Sequence, residues 1–114
     1  MALLICFHEA GSEIDWSKKA IYLEQSLYEL LFNYYRKHES DSPLKAMVSI
    51  GYEDEFVITA GRIDETLGEL KRLADVEGVK HPQIPLMCRV LHGASSRKCE
   101  LAVAGDMYPD LSRT

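Results

Sequence analysis

Residues 16–38, WSKKAIYLEQSLYELLFNYYRKH, carry the pattern that decides the fold. Apolar side chains recur in this stretch at intervals of three and four, which is the spacing of one face of an α-helix. That face comprises Trp16, Ala20, Leu23, Leu27, Leu30 and Tyr34. A second apolar stripe beside it comprises Ile21, Tyr28, Phe32 and Tyr35. The sequence therefore predicts one long amphipathic helix, capped by Asp15 or Ser17, whose broad apolar face needs a sheet, a partner or both to cover it.

Four other segments have the composition of β-strands. Residues 2–7 are a continuous apolar run, and residues 44–51 partly alternate between apolar and polar side chains. Residues 56–60 are rich in strand-forming side chains, and residues 99–104 are again apolar. The polar residues 52–55 predict a hairpin turn that joins the second and third of these strands.

Two further helices are expected in the second half of the chain. Asp64 is the expected N-cap of a helix over residues 65–76, which Gly78 closes. Another helix is expected to begin near Pro82 or Pro85, because proline is tolerated in a first helical turn. Apart from this added helix, the order of elements is the split βαβ pattern of ferredoxin-like folds.

Together these elements predict a single α+β domain over residues 1–114. The expected architecture is a two-layer sandwich: a four-stranded, mostly antiparallel or mixed sheet with helices on one face, in the order βαββ(αα)β, a ferredoxin-like variant. The direction of the last strand is open. If both late helices cross the full sheet, the last strand runs parallel to the first strand. Otherwise it keeps the antiparallel direction that it has in the simple split βαβ pattern.

Composition narrows the range of partners. The chain has 114 residues, of which 46% are hydrophobic and 27% are charged, as in a globular domain with an ordinary core. Its net charge of −5 is uneven, because residues 39–77 hold ten acids and four bases whereas residues 78–114 hold three acids and five bases. Nucleic acids and anionic membranes bind clustered lysine and arginine, so neither is expected as a partner. A basic protein is the expected partner.

The cysteines and the start of the chain indicate a reducing compartment. Cys6, Cys88 and Cys99 lie among apolar neighbours, which is typical of buried, reduced thiols. No apolar run approaches the roughly 20 residues that span a bilayer, and the opening MALLICFH lacks the basic flank and cleavage site of a signal peptide. We therefore expect a cytoplasmic location. No motif indicates a metal or a cofactor, and none is expected.

Carboxylates in the middle of the chain are the main candidates for partner binding. They are Glu53, Asp54, Glu55, Asp64, Glu65 and Glu69. Attraction between such carboxylates and a basic surface would speed association, and aromatic side chains would strengthen the contact. These features favour a non-enzymatic protein-binding module. A toxin-neutralising immunity protein that occludes a basic toxin is one class of this size and charge.

Strand ends supply a second, weaker set of candidates. His8 and Glu9 follow the first strand, and Asp106, Tyr108 and Asp110 follow the last. Ligands often bind at strand ends, so these residues could belong to a small metal- or ligand-binding enzyme. Asp106 joins His8 only if the last strand is parallel to the first. The alternatives are a solvated loop beside a surface histidine and a turn that fixes the C-terminus.

A homodimeric structural subunit is the third hypothesis. Its basis is the second apolar stripe of residues 16–38, which exceeds what a single packing seam needs. If the sheet covers one stripe and leaves the other exposed, a second copy of the chain would cover the exposed one.

Overall fold

The computed structural model describes residues 2–16, 19–51 and 54–105, with only the backbone of Lys19. Within these ranges the chain forms a four-stranded sheet with helices packed on one face. The strands are β1 (Leu3–His8), β2 (Lys19–Leu23), β3 (Glu55–Ile58) and β4 (Glu100–Gly105). The helices are α1 (Gln25–Lys37), α2 (Pro43–Met47), α3 (Ile63–Asp75) and α4 (Ile84–Arg97), and a 3₁₀ turn at Ala60–Arg62 leads into α3.

Neighbouring strands of the sheet are antiparallel throughout, in the order β2-β1-β4-β3. β1 and β4 lie in the centre, with Leu3 opposite Gly105 and His8 opposite Glu100. β2 returns directly from β1 and forms one edge, whereas β3 forms the other edge beside β4. The end of β1 therefore lies next to the start of β4.

The main core lies between the sheet and the helices. Leu3 and Ile5 of β1, together with Leu101 and Val103 of β4, have no exposed surface. They belong to one cluster with helical residues Leu27, Leu31, Leu70, Leu73, Met87 and Leu91. Alternation along the strands and a three- or four-residue spacing along the helices bring these side chains into one layer.

The opposite face of the central strands carries small side chains and is covered by the loop between β1 and β2. Cys6, Ala102 and Ala104 are fully buried on this face. Trp16 packs against them from the loop, and the half-buried Ile14 lies beside it. Trp16 therefore belongs to a loop that covers the sheet and not to a helix.

The single helix predicted over residues 16–38 is wrong in its first part. β2 occupies that part, and α1 begins only after Glu24, whose backbone is extended (φ −63°, ψ 151°). Asp15 lies in the loop before β2 and caps no helix, and Ser17 lies outside the described residues. The remainder of the predicted helix, up to Lys37, is confirmed.

Alternating burial explains why β2 is a strand. Ile21 and Leu23 are buried, whereas Tyr22 between them is 46% exposed. Ile21 pairs with Ile5 of β1 and Leu23 pairs with Leu3, so this segment completes its backbone hydrogen bonds at the edge of the sheet. Apolar positions in this stretch fit both a helix and a strand, and pairing with β1 decides between them.

The strand predicted over residues 44–51 is also wrong, because this stretch begins with helix α2. Ser42 is its N-cap and accepts a hydrogen bond from the Lys45 backbone N–H (3.4 Å), and Pro43 occupies the first turn. A serine followed by a proline is a helix-start pattern. β3 pairs with β4 instead, so the predicted hairpin between the second and third strands does not form.

The second half of the chain follows the prediction more closely. α3, α4 and β4 form as expected, and Pro85 lies in the first turn of α4. Asp64 lies in the first turn of α3, and Arg62 takes the N-cap position instead. β4 is antiparallel to β1, so the parallel alternative is wrong. The α+β class and the helical layer on an antiparallel sheet are confirmed, with the observed order ββααβααβ matching a ferredoxin-like arrangement only roughly.

Candidate functional site

Asp54 closes a tight turn before β3. The Gly51 N–H donates to the Asp54 carboxylate (2.9 Å), and the Asp54 N–H donates to the Gly51 carbonyl (3.2 Å). A Cβ on Gly51 would lie 2.8 Å from Asp54 Oδ2, so a larger residue at position 51 would require the Asp54 carboxylate to move. Glu55 follows as an exposed residue at the start of β3, and Glu53 lies outside the described residues.

Two of the predicted carboxylates interact with neighbours at the start of α3. The Ser95 hydroxyl of α4 donates to Asp64 (2.6 Å), and the Arg62 guanidinium binds Glu65 (2.7 Å). These hydrogen bonds from Arg62 hold the pKa of Glu65 below its ordinary value. Arg62 also donates to the Asp41 carbonyl (3.0 Å). The charge of Glu65 is therefore balanced locally.

Glu69 connects α3 to α1. Its carboxylate accepts a hydrogen bond from the Tyr35 hydroxyl (2.8 Å) and forms an ion pair with Arg72 (3.2 Å). Burial raises the pKa of Tyr35, and the hydrogen bond to Glu69 raises it further. Glu69 thus works mainly inside the fold. The predicted carboxylates that are described do not form one free acidic surface.

His8 has both ring nitrogens engaged. Nδ1 lies 2.9 Å from Glu100 Oε1, and Nε2 donates to the Ser12 carbonyl (2.8 Å). The ring therefore joins β1, β4 and the following loop. His8 and Cys99 line one pocket of about 240 Å³. Both nitrogens of His8 already have partners, so neither is free to accept the proton of the Cys99 thiol. Glu9 is exposed, and its carbonyl accepts hydrogen bonds from Ser12 in the turn.

The remaining predicted candidates, Asp106, Tyr108 and Asp110, lie outside the described residues. Gly105 precedes them and pairs with Leu3, at the opposite end of β1 from His8. The condition for a composite site of Asp106 and His8, parallel first and last strands, is therefore not met. Among the residues that the structure describes, no group of three or more His, Cys, Asp or Glu side chains could hold a metal ion.

A concave surface with an exposed aromatic ring lies along α1. We call it the aromatic groove; its volume is about 490 Å³ and it is lined by Gln25, Tyr28, Glu29, Phe32, Asn33, Ile50 and Gly51. The rings of Tyr28 and Phe32 stack at 6.1 Å, and the Tyr28 hydroxyl donates to the Val48 carbonyl (3.0 Å). Phe32 is 43% exposed. Phe32 therefore offers an aromatic surface to solvent, and the half-buried Tyr28 supports it.

This groove has an acidic character. Glu29 lines it and accepts a hydrogen bond from the neutral Gln25 amide (2.9 Å), and no described lysine or arginine forms an ion pair with its carboxylate. Asp54 adds a second carboxylate at the Gly51 wall. No lysine or arginine is among the described residues that line this groove. A cation would meet both negative charge and aromatic faces here.

Sequence reasoning found only part of this groove. In the second apolar stripe, Tyr28 and Phe32 line the groove, whereas Ile21 and Tyr35 are buried in the core. The wall at residues 50–51 was missed because α2 was predicted to be a strand. The Ser-Pro start of α2 was the signal that could have placed this wall beside α1.

No family model, curated protein or solved structure matches this chain. None of the helices within residues 2–16, 19–51 and 54–105 has the length and apolar character needed to cross a bilayer.

Proposed function

We propose that this protein is a non-enzymatic binding domain that captures a basic protein in the aromatic groove. One observation carries the proposal: the stacked rings of Tyr28 and Phe32, of which Phe32 is exposed, lie beside the Glu29 carboxylate, which no described lysine or arginine balances. Aromatic rings that stay exposed in a concave surface are typical of interface centres.

The chemistry of the groove favours an arginine or lysine side chain from the partner. A guanidinium group can stack on the faces of Tyr28 and Phe32 through a cation–π interaction. The same group can bind the Glu29 carboxylate with two hydrogen bonds, and the nearby Asp54 adds attraction. The net charge of −5 would steer a basic protein towards this surface and speed its association.

A catalytic role for His8 receives no support from its surroundings. Both ring nitrogens bind partners within the fold, and the pocket that His8 shares with Cys99 holds only about 240 Å³. This arrangement favours a structural role for His8 and a binding function for the domain.

A toxin-neutralising immunity protein remains the class that fits this proposal best. In that case the partner is a basic toxin of the cytoplasm, and the aromatic groove covers its active face. Such a protein works by occlusion, so it needs a complementary surface and no catalytic group.

Affinity capture with charge-reversal variants tests the proposal. The wild-type protein and Glu29→Lys would each be used as bait in native lysate, and retained proteins would be identified by mass spectrometry. Glu13→Lys is the matched control, because Glu13 is an exposed acid outside the groove. We expect basic proteins that the wild type and Glu13→Lys retain and Glu29→Lys loses.

Two results would contradict this function. The first is that Glu29→Lys and Glu13→Lys retain the same proteins, since the groove would then play no part. The second is that the wild type sediments as a dimer that Phe32→Ala dissociates, since a second copy of the chain would then occupy the groove.

A further inference from the structure

A second groove lies between α3 and α4 and shares no residue with the aromatic groove. Its volume is about 470 Å³. We call it the cationic groove, and its lining residues are Leu67, Lys71, Cys88, Arg89, His92 and Gly93. α3 and α4 form its two walls.

The basic side chains of this groove stand out in an acidic protein. Lys71 and Arg89 form no ion pair or hydrogen bond within the described part of the chain, whereas Arg62 and Arg72 bind neighbouring carboxylates. The described contact of His92 is a long one, 3.5 Å to the Ser96 hydroxyl. Lys71 and Arg89 therefore give this groove an excess of positive charge, which the Asp75 carboxylate near Cys88 offsets only in part, in a chain whose net charge is −5.

The floor of the groove is apolar. Leu67 and Cys88 are half-buried, and burial raises the pKa of the Cys88 thiol, which keeps it uncharged. Gly93 adds no side chain to the α4 wall, and a Cβ at this position would lie 3.3 Å from the Phe7 ring. Apolar surface flanked by unpaired cations suits a ligand that has apolar and acidic groups side by side.

We infer that the cationic groove binds an acidic peptide segment of a second partner protein. The segment places apolar side chains on Leu67, Cys88 and Gly93, and its carboxylates bind Lys71 and Arg89. Binding of an amphipathic helix in a groove between two helices is a known recognition mode, and the charges set its specificity. Because the two grooves are separate and opposite in charge, the domain can hold a basic and an acidic protein together.

Binding of model peptides tests this inference. The probe is a fluorescein-labelled peptide of about 14 residues, or about four helical turns, with leucine on one face and glutamate elsewhere. Fluorescence anisotropy with the full chain should show saturable binding that weakens as salt rises. Replacing every leucine by serine should abolish binding, because the apolar anchor is lost.

Charge-reversal pairs locate the binding site. Lys71→Glu with Arg89→Glu should weaken binding of the peptide by at least about tenfold. Arg36→Glu with Lys37→Glu is the matched control, since these bases on α1 are exposed and lie outside the groove. The control should keep the wild-type affinity within about twofold. If the reversed pair does not fold, Lys71→Gln with Arg89→Gln tests the same contact.

Three outcomes would overturn the inference. The first is the absence of saturable binding, and the second is equal weakening by the control pair. The third is a wild-type dimer that the substitutions at Lys71 and Arg89 dissociate, because a second copy of the chain would then occupy the groove.

Phe32→Ala should leave acidic-peptide binding unchanged. This variant separates the two grooves, because a failure of the aromatic groove to bind a basic protein would leave the peptide result intact.

Discussion

Tyr35 shows how one residue can serve the fold where its sequence pattern suggested an interface. It belongs to the second apolar stripe, yet it is buried and donates its hydroxyl proton to Glu69. The Ser42 hydroxyl donates a hydrogen bond to the Tyr35 hydroxyl oxygen (3.4 Å). Glu69 in turn binds Arg72. A polar group at the end of a ring is tolerated in a core when such partners satisfy it.

Tyr35→Phe should change the dependence of stability on pH. Burial and the Glu69 hydrogen bond raise the pKa of Tyr35 in the folded state, whereas the unfolded chain titrates near its ordinary value of about 10. The folded protein thus keeps a proton that the unfolded chain loses, so wild-type stability should fall as pH rises above about 10. Urea unfolding midpoints at about pH 8 and pH 10.5 measure this.

The stability of Tyr35→Phe should fall less than that of the wild type between these two pH values. At the lower pH it should be less stable than the wild type by about 1 kcal/mol, because the hydrogen bond to Glu69 is lost. Parallel pH profiles of the two proteins would contradict the assigned role of Tyr35.

Glu100→Ala should weaken the fold without changing partner capture. The variant leaves Nδ1 of His8 without its carboxylate in a half-buried position, at a cost of about 1–2 kcal/mol in the free energy of unfolding. Thermal unfolding measures the cost, and the capture experiment supplies the second readout. Loss of capture by a variant that is still folded would mean that His8 and Glu100 belong to the binding site.

At the scale of elements, local periodicity explains most of the fold and fails at two places. α3 and α4 could be predicted because each one combines an apolar period with a glycine or proline near its boundary, and β1 and β4 because each lies in a short continuous apolar run. β2 could not, since its apolar positions also fit a helix and the deciding interaction is a backbone pairing with β1. α2 could have been predicted from its Ser-Pro start.

Two glycine substitutions should have opposite effects on stability. Gly68 lies in the interior of α3 with nothing within 4 Å of an added Cβ, so Gly68→Ala should stabilise the protein by about 0.5–1 kcal/mol. Gly78 follows α3 with a φ of +71°, so Gly78→Ala should destabilise it by about 1 kcal/mol. Urea unfolding of both variants measures these changes. Shifts of the same sign would contradict the assigned backbone conformations.

For the molecule as a whole, net charge counts the acidic residues but does not show which of them already have partners. The sequence predicted one acidic surface from residues 53–69, and within it Glu65 and Glu69 each bind an arginine three residues away, at the N-cap of α3 and within α3. That spacing was visible in the sequence and is typical of helical ion pairs. The place of Glu29 beside Phe32 and the Gly51 wall could not be predicted from the sequence, because it depends on tertiary packing.

We infer that the aromatic groove provides the contact with a basic partner, and the affinity of the captured partner for two aromatic variants measures this contact. Phe32 and Tyr22 are exposed to a similar extent, 43% and 46%, but only Phe32 lines the groove. Phe32→Ala should weaken binding by about 2 kcal/mol, or roughly 30-fold in Kd, whereas Tyr22→Ala should change Kd by less than about twofold. Equal effects of the two variants, or no effect of Phe32→Ala, would contradict the claim.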